Sequence, residues 1–325
     1  MEAKGKSLPS GLMKSCFFIK FALANKRLLY AALAAVFLLF SGSNAFSMNE
    51  DDDLFGDTTF EIGSWQMELL PDKQPYPSYI ADPRRPRMHF GVGAISSEIP
   101  ERSGGMINLD AGTRITLLKM QRGSEGANEF ALDIEGGLFT QFDLVNNLDI
   151  IGWDGRYGAY AAWDWTDLVV ARFGYRHLSA HLGDEYMEET GRRRINYTRD
   201  DFRVGLGYRV VKNTLVYLEP SRAWHLGNKS RQERWAVEGG VQYEGPYDLW
   251  KGSVALYAGM HVSSFAESDW KPSFTGQIGL NVKRDPRRTR LRIGLEGYTG
   301  RAILGEYALD FDETYLSLSL FFDYF

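Results

Sequence analysis

From Met88 to the C-terminus, apolar and polar side chains alternate with a period of two, interrupted at intervals by turn residues. Alternation of that kind belongs to strands whose two faces meet different surroundings. After Ser47 no apolar run approaches the roughly 20 residues of a helical membrane span. A bilayer is crossed only by helices or closed barrels, because every backbone polar group must be bonded internally. The mature part is therefore either a soluble sheet protein or a β-barrel.

The composition of the two faces decides between them. In 107–117, Ile107, Leu109, Ala111, Ile115 and Leu117 oppose Asn108, Asp110, Arg114 and Thr116. In 130–142, Phe130, Leu132, Ile134, Leu138 and Phe142 oppose Asp133, Glu135 and Gln141. Trp153, Tyr157, Ala159, Ala161, Trp163 and Trp165 oppose Asp154, Arg156 and Asp164, and the stretches at 235–243 and 290–296 repeat the pattern. The apolar faces are uniform and end in Trp or Tyr, as a lipid-facing band with aromatic girdles requires. The other faces carry small and charged residues, such as Gly205, Gly207 and Arg209, suited to a crowded lumen. The expected fold is all-β: a transmembrane antiparallel β-barrel of about 12 strands over 88–325, in the outer membrane of a Gram-negative bacterium. Short turns at Thr166–Asp167, Lys212–Asn213 and Asp285–Pro286 alternate with longer connections near 182–197, 225–231, 265–271 and 304–313. That alternation puts the short turns and both termini on the periplasmic side.

Residues 1–47 read as a signal peptide, with Lys14, Lys20, Lys26 and Arg27 ahead of the apolar run Leu28–Phe40 and small residues at Ser41–Ala45. Cleavage is expected after Ala45 or Ser47. The single cysteine, Cys16, lies in that segment, so the mature chain has no disulfide, thiolate metal site or thiol nucleophile. Residues 48–87 open on Asp51, Asp52 and Asp53 and continue with Pro71, Pro75, Pro77, Pro83 and Pro86. Strands tolerate proline poorly, so an irregular periplasmic arm is expected ahead of the barrel. A net charge of −5 gives no ground for a nucleic-acid partner.

A barrel of about twelve strands is far narrower than a porin. Its inward set comprises Asp110, Arg114, Asp133, Glu135, Arg172, Arg176, Arg203, Arg209, Arg234, Glu238, Arg290, Arg292 and Glu296. Charges of both signs interleaved in this way pair across strands and fill the interior. A wide general porin is thereby disfavoured, and a structural or narrow-transport role is left open. The last strand presents Leu316, Leu318, Leu320, Phe322 and Tyr324 on one face and ends on Phe325, one residue out of phase. It resembles the signal read by the outer-membrane barrel assembly machinery.

One segment carries groups fit for chemistry. Residues two apart on a strand share a face, so with Val169, Ala171, Phe173 and Tyr175 outward, His177, Ser179 and His181 follow on the same outer surface. Even-numbered residues of the next strand, Phe202 to Val210, also point outward, which extends back to Asn196 and Thr198. A serine needs a neighbouring base, and that base a third group to fix its tautomer. Ser179, His177 and Asn196 are candidates for nucleophile, base and orienting residue. The spacing resembles outer-membrane phospholipase A, a twelve-stranded barrel family whose His-x-Ser and Asn project from the outside of the wall. The resemblance implies an acyl ester hydrolase, of phospholipase A or lipid A deacylase type, acting on phospholipid or lipopolysaccharide. Those enzymes place Asn after the serine, whereas Ala180 and His181 follow here.

A broader resemblance runs through Tyr79-Ile80-Ala81-Asp82-Pro83-Arg84-Arg85-Pro86-Arg87, the His177–Glu185 segment and Arg194–Arg199. These segments look like an uncharacterised bacterial family of outer-membrane barrels, which implies location and fold. His181, Asp184 and Glu185, with His177 beside them, form a candidate site for calcium or another divalent cation. Arg192, Arg193 and Arg194 lie in a proposed outer loop, where they could meet lipopolysaccharide phosphates. His89, His225 and His261 show no acidic partner at useful spacing and read as structural. A homodimer is compatible with such a barrel.

Overall fold

The computed structural model describes residues 59–71, 74–102, 104–122, 128–285 and 289–324. The expected signal peptide and Phe325 lie outside the described residues. Among the described residues fourteen strands are formed: β1 (Thr59–Ile62), β2 (Trp65–Leu69), β3 (Met88–Ser97), β4 (Gly105–Arg122), β5 (Glu129–Asp143), β6 (Ile150–Asp164), β7 (Val169–Leu182), β8 (Thr198–Val211), β9 (Thr214–Leu226), β10 (Trp235–Glu244), β11 (Val254–Phe265), β12 (Pro272–Asp285), β13 (Thr289–Arg301) and β14 (Asp312–Tyr324). Strands β3 to β14 pair antiparallel in chain order. The sheet closes where β14 meets β3, from Phe322 opposite Met88 to Glu313 opposite Ser97. The result is a closed transmembrane barrel of 12 strands, of the outer-membrane kind. Among the described residues, no helix is long and apolar enough to cross a membrane.

The side-chain alternation explains why these segments close on themselves. Leu109, Leu132, Ile134, Leu138, Phe173, Val204, Leu206, Ile278, Leu295 and Leu316 are exposed on the outside. Their strand neighbours Asp110, Asp133, Glu135, Arg172, Arg203, Arg292 and Glu296 are buried inside. A closed sheet leaves no unpaired edge in the apolar layer, and a period of two then sorts every strand into a lipid face and a lumen face. Arg234 is an exception among the expected inward residues. It precedes β10, is exposed, and donates to the carbonyls of Ala223 and Trp224 at 2.9 and 3.0 Å.

The arm departs from the expectation of irregular chain outside the barrel. Strands β1 and β2 form a hairpin about Gly63 that pairs with the overhanging end of β4, Trp65 opposite Arg122, on the edge of β4 that β3 occupies at 105–110. Residues from Gln74 on run into the lumen, where Tyr76, Tyr79, Ile80, Ala81, Asp82 and Arg87 are buried. Tyr79 stacks on Tyr217 of β9 at 3.7 Å and donates to Glu219 at 3.0 Å. The Ile80 amide donates to Gln242 at 2.9 Å. Arg84 and Arg85 reach Asp154 and Asp323 at 3.7 and 3.2 Å. Proline excludes this segment from a strand but not from a lumen whose inward groups supply the missing partners.

The long connections close the opposite mouth. The 183–197 connection contains a short helix α1 (Asp184–Thr190), ended by Gly191 at φ 66°. The 302–311 connection folds inward, burying Ala302, Leu304, Tyr307 and Ala308. The Gly305 N–H donates to both carboxylate oxygens of Asp154 at 3.1 Å. Glu306, fully buried, accepts from the backbone N–H of Ile195 at 2.6 Å and of Tyr197 at 3.1 Å. Arm, ion pairs and this cap together occupy the middle and this mouth of the interior, and a cavity of about 530 Å³ lined by Leu215, Gln242, Glu244 and Asn281 lies at the other mouth, beside the short turns.

Candidate functional site

Strands β6, β7 and β8 lie side by side, and β7 carries the outward polar groups. Val170, Arg172, Gly174, Arg176, Leu178, Ala180 and Leu182 are buried toward the lumen, whereas His177, Ser179 and His181 are half-buried on the outer side. Register supplies their neighbours. His177 stands opposite Tyr157 of β6 and Asp200 of β8; Ser179 opposite Gly155 and Thr198; His181 opposite Trp153.

Two separate contacts result. The His177 Nδ1–H donates to Asp200 Oδ1 at 2.7 Å, and the Tyr175 hydroxyl donates to the same oxygen at 2.5 Å. This arrangement leaves Nε2 as the basic nitrogen of His177. The His177 ring stacks on Tyr157 at 4.6 Å. Ser179 Oγ lies 3.2 Å from His181 Nε2, and the His181 ring stacks on Trp153 at 3.8 Å. The serine thus sits between two imidazoles on one face, and its hydroxyl contacts the second.

Asn196 does not join them. It is exposed at φ 59°, beyond the last β7–β8 pair, and its side chain makes no hydrogen bond among the described residues. The register pairing Ser179 with Thr198 puts Asp200 opposite His177 and leaves Asn196 past the end of the ladder. Asp200 is thus the residue that sequence reasoning missed. Its signal was present: it is the even-numbered residue just before Phe202, an acid on a lipid-facing phase.

The proposed cation site does not assemble. Asp184 and Glu185 point to solvent from the first turn of α1, and no group of three His, Asp or Glu side chains comes together among the described residues. The three arginines part ways. Arg192 donates to Glu306 O and Asp310 Oδ2 at 2.9 Å and lies over Tyr307 and Phe311. Arg194 donates to Ala180 O at 2.8 Å, and Arg193 is exposed. Burial pushes the Asp310 carboxyl up, but hydrogen bonds from Arg231 and Arg192 outweigh that and hold it below the usual carboxylate range.

A second serine, histidine and acid set lies inside the barrel. His89 Nδ1 contacts Asp110 Oδ2 at 2.7 Å, and His89 Nε2 contacts Ser319 Oγ at 3.1 Å. His89 therefore does have an acidic partner, contributed by the adjacent strand where Asp110 is its direct opposite. All three groups are buried, and the adjoining cavity holds only about 20 Å³. His261 is likewise buried, against the Tyr217 hydroxyl at 2.9 Å.

The outer set differs in access. A groove of about 410 Å³ on the outside wall is lined by Ala111, Gly136, Leu138, Gly155, Tyr157, His177 and Ser179. Other charged groups of the lumen are held in ion pairs, among them Arg172 with Glu219 at 2.6 Å, Arg203 with Glu238 at 2.6 Å, Arg176 with Asp201 at 3.1 Å and Arg156 with Glu135 at 2.8 Å.

Comparison with known proteins returns barrels. The chain is similar to outer membrane phospholipase A from Escherichia coli, at 11% identity and TM-score 0.48, over 74% of this chain and 94% of that one. It is similar to the calcium-bound outer membrane phospholipase dimer of Salmonella typhi, at 11% identity and TM-score 0.47, over 76% and 95%. OmpT of Vibrio cholerae aligns at 7% identity and TM-score 0.30, over 81% and 99%. No curated protein matches the chain. The family described as "Protein of unknown function (DUF1207)" matches residues 58–324, most of the chain, and the chain belongs to that family.

Proposed function

We propose that the protein is a serine acyl ester hydrolase acting on membrane lipid from the outside of its barrel wall. The observation that carries this reading is the position of Ser179 in an open groove on the lipid-facing surface, between two imidazoles, one of which is backed by a carboxylate. Ser179 is the nucleophile, His177 the base and Asp200 the group that orients it. In the resting arrangement the hydroxyl is held by His181. Serine rotamers occupy staggered wells, and rotation about χ1 carries Oγ from the residue two ahead to the residue two behind on the same strand face.

The chemistry then balances without further groups. Ser179 Oγ bonds to the ester carbonyl carbon as its proton passes to His177 Nε2, and the imidazolium is stabilised by Asp200. The carbon–oxygen bond of the ester breaks and the leaving alcohol takes that proton. Water then bonds through its oxygen to the acyl carbon as its proton passes to the same imidazole, the acyl carbon–Oγ bond breaks, and the imidazolium returns that proton to Ser179 Oγ as the free acid leaves. Bacterial outer membrane, with the long connections outward and both termini periplasmic, is the location this reading requires. Phospholipid and the acyl chains of lipopolysaccharide are the substrates it allows. A transport role has the occupied middle of the lumen against it.

The test is fatty-acid release by detergent-folded protein from phospholipid and lipopolysaccharide. Ser179→Ala is expected to lower the rate by at least about 10³-fold. Absence of release from every lipid, with or without calcium, sinks the proposal.

A further inference from the structure

The groove beside Ser179 has a shape that the catalytic groups alone do not require. It crosses the wall from β7 to β4. Ser179 stands opposite Gly155, Gly155 opposite Leu138, and Leu138 opposite Ala111. The neighbouring row runs from His177 through Tyr157 to Gly136. Three strand-to-strand steps of about 4.8 Å give a channel ~14 Å long, with its polar groups at one end only. Its floor is the diagonal from Gly155 to Gly136, and Leu138 and Tyr157, each opposite one of these glycines and exposed, flank it.

Its floor is kept low at a cost in sheet stability, since glycine in a strand packs nothing and often marks a close approach. Neither Gly155 nor Gly136 has a left-handed backbone, and neither is forced by crowding. A Cβ on Gly155 would meet Trp153 at 3.5 Å, and one on Gly136 would meet only the Arg156 carbonyl at 3.8 Å. Both are ordinary contacts, so a side chain fits where none is present. The outward positions nearest the two glycines carry Ile134, Leu138, Trp153 and Tyr157, which rim the depression beside the serine.

Building on the hydrolase reading, we infer that this groove seats one acyl chain of the ester whose carbonyl lies at Ser179, and that Gly136 and Ala111 set how long a chain is accepted. A hydrocarbon chain suits a floor without polar side chains, open to the bilayer along its length and ending at the nucleophile. One barrel therefore holds the chain without a second copy.

Two measurements test this. The first compares hydrolysis of dibutyryl and dipalmitoyl phosphatidylcholine by the folded full-length protein and its Gly136→Val and Ala111→Leu variants. The variants are expected to lose about 10-fold or more of the rate on the palmitoyl lipid while the butyryl rate stays within about twofold. Equal effects on both lipids, or none on either, overturn the groove. The second uses Ser179→Ala protein and a phosphatidylcholine with a diazirine in its acyl chain. Crosslinks mapped by mass spectrometry are expected on residues 129–143 and 150–164, and Gly136→Val should remove them. Crosslinks spread evenly around the barrel, or a second copy of the chain crosslinked across this wall, overturn the assignment. Loss of all hydrolysis in Ser179→Ala together with unchanged chain selectivity in the groove variants refutes the groove alone. If wild type hydrolyses nothing, the enzymatic reading falls and the crosslinking pattern still judges the groove.

Discussion

The barrel holds two serine, histidine and acid sets, one on each face of its wall, and the inner one is the more complete. Asp110, His89 and Ser319 form a continuous hydrogen-bonded series, whereas the outer set is split between His177–Asp200 and Ser179–His181. Yet the inner series adjoins about 20 Å³ and the outer set about 410 Å³. A void of the smaller size holds a single water, and no ester reaches it. Hydrogen-bond geometry alone therefore does not identify a catalytic site; access for the reacting atom does. The inner series is read as lumen polarity satisfied by its neighbours, like the Arg172–Glu219 and Arg203–Glu238 pairs around it.

The comparison breaks most decisively at the acids. Asp200→Asn is expected to cut lipid hydrolysis by about 10³-fold or more by releasing the tautomer of His177, with little change in barrel stability. Asp110→Asn is expected to do the reverse. It leaves turnover within about twofold and destabilises the barrel by about 1–3 kcal/mol, because a neutral amide is the weaker acceptor for the fully buried His89 ring, whereas His177 is half-buried at the outer surface. Urea unfolding of detergent-folded protein and fatty-acid titration measure the two. An inactive Asp110→Asn protein of wild-type stability would transfer the site to the lumen.

The two imidazoles sharpen the outer assignment. His177→Ala should approach the loss seen for Ser179→Ala, while His181→Ala, which removes the resting partner of the hydroxyl, should lower the rate less than about 10-fold. The reverse order makes His181 the base.

The smallest effect concerns the cap. Asp310 is held below its ordinary value in the folded chain, so its contribution is fully present above an unfolded value of about 3.9 and fades as pH falls through the folded one. Backbone exchange in 302–311, corrected for its intrinsic pH dependence, should rise as pH is lowered from about 5 to about 3, and Asp310→Asn should abolish that rise. A flat profile in wild type would show that Arg192 and Arg231 do not clamp the loop through charge.

Much of the fold was legible because a period of two is a local property. Leu109 against Asp110, Leu132 against Asp133 and Phe173 against Arg172 could each be assigned to a face from neighbours along the chain. Phase also sent His177, Ser179 and His181 outward. The sequence missed the other half of the site because register is set across strands, and the 183–197 connection conceals how far β8 slides along β7. An alternation pattern gives Asn196 and Asp200 the same face. Only pairing Ser179 with Thr198 selects Asp200 as the partner of His177.

The prolines of the arm show the same limit. They lead to an irregular arm over 48–87, yet Thr59–Ile62 and Trp65–Leu69 form strands, and the prolines could not tell that the described residues from Gln74 to Arg87, which form none, run inside the barrel. That outcome depends on Tyr217, Glu219, Gln242, Asp154 and Glu296, gathered from strands far apart in the chain, each needing a partner that the arm supplies. By itself, then, the sequence determined which side of the wall the strand residues take, Arg234 at the start of β10 excepted, since lipid and lumen impose opposite demands on adjacent positions. The tertiary structure decided which residues meet on a given side, because closure and register bring together groups that no local pattern relates.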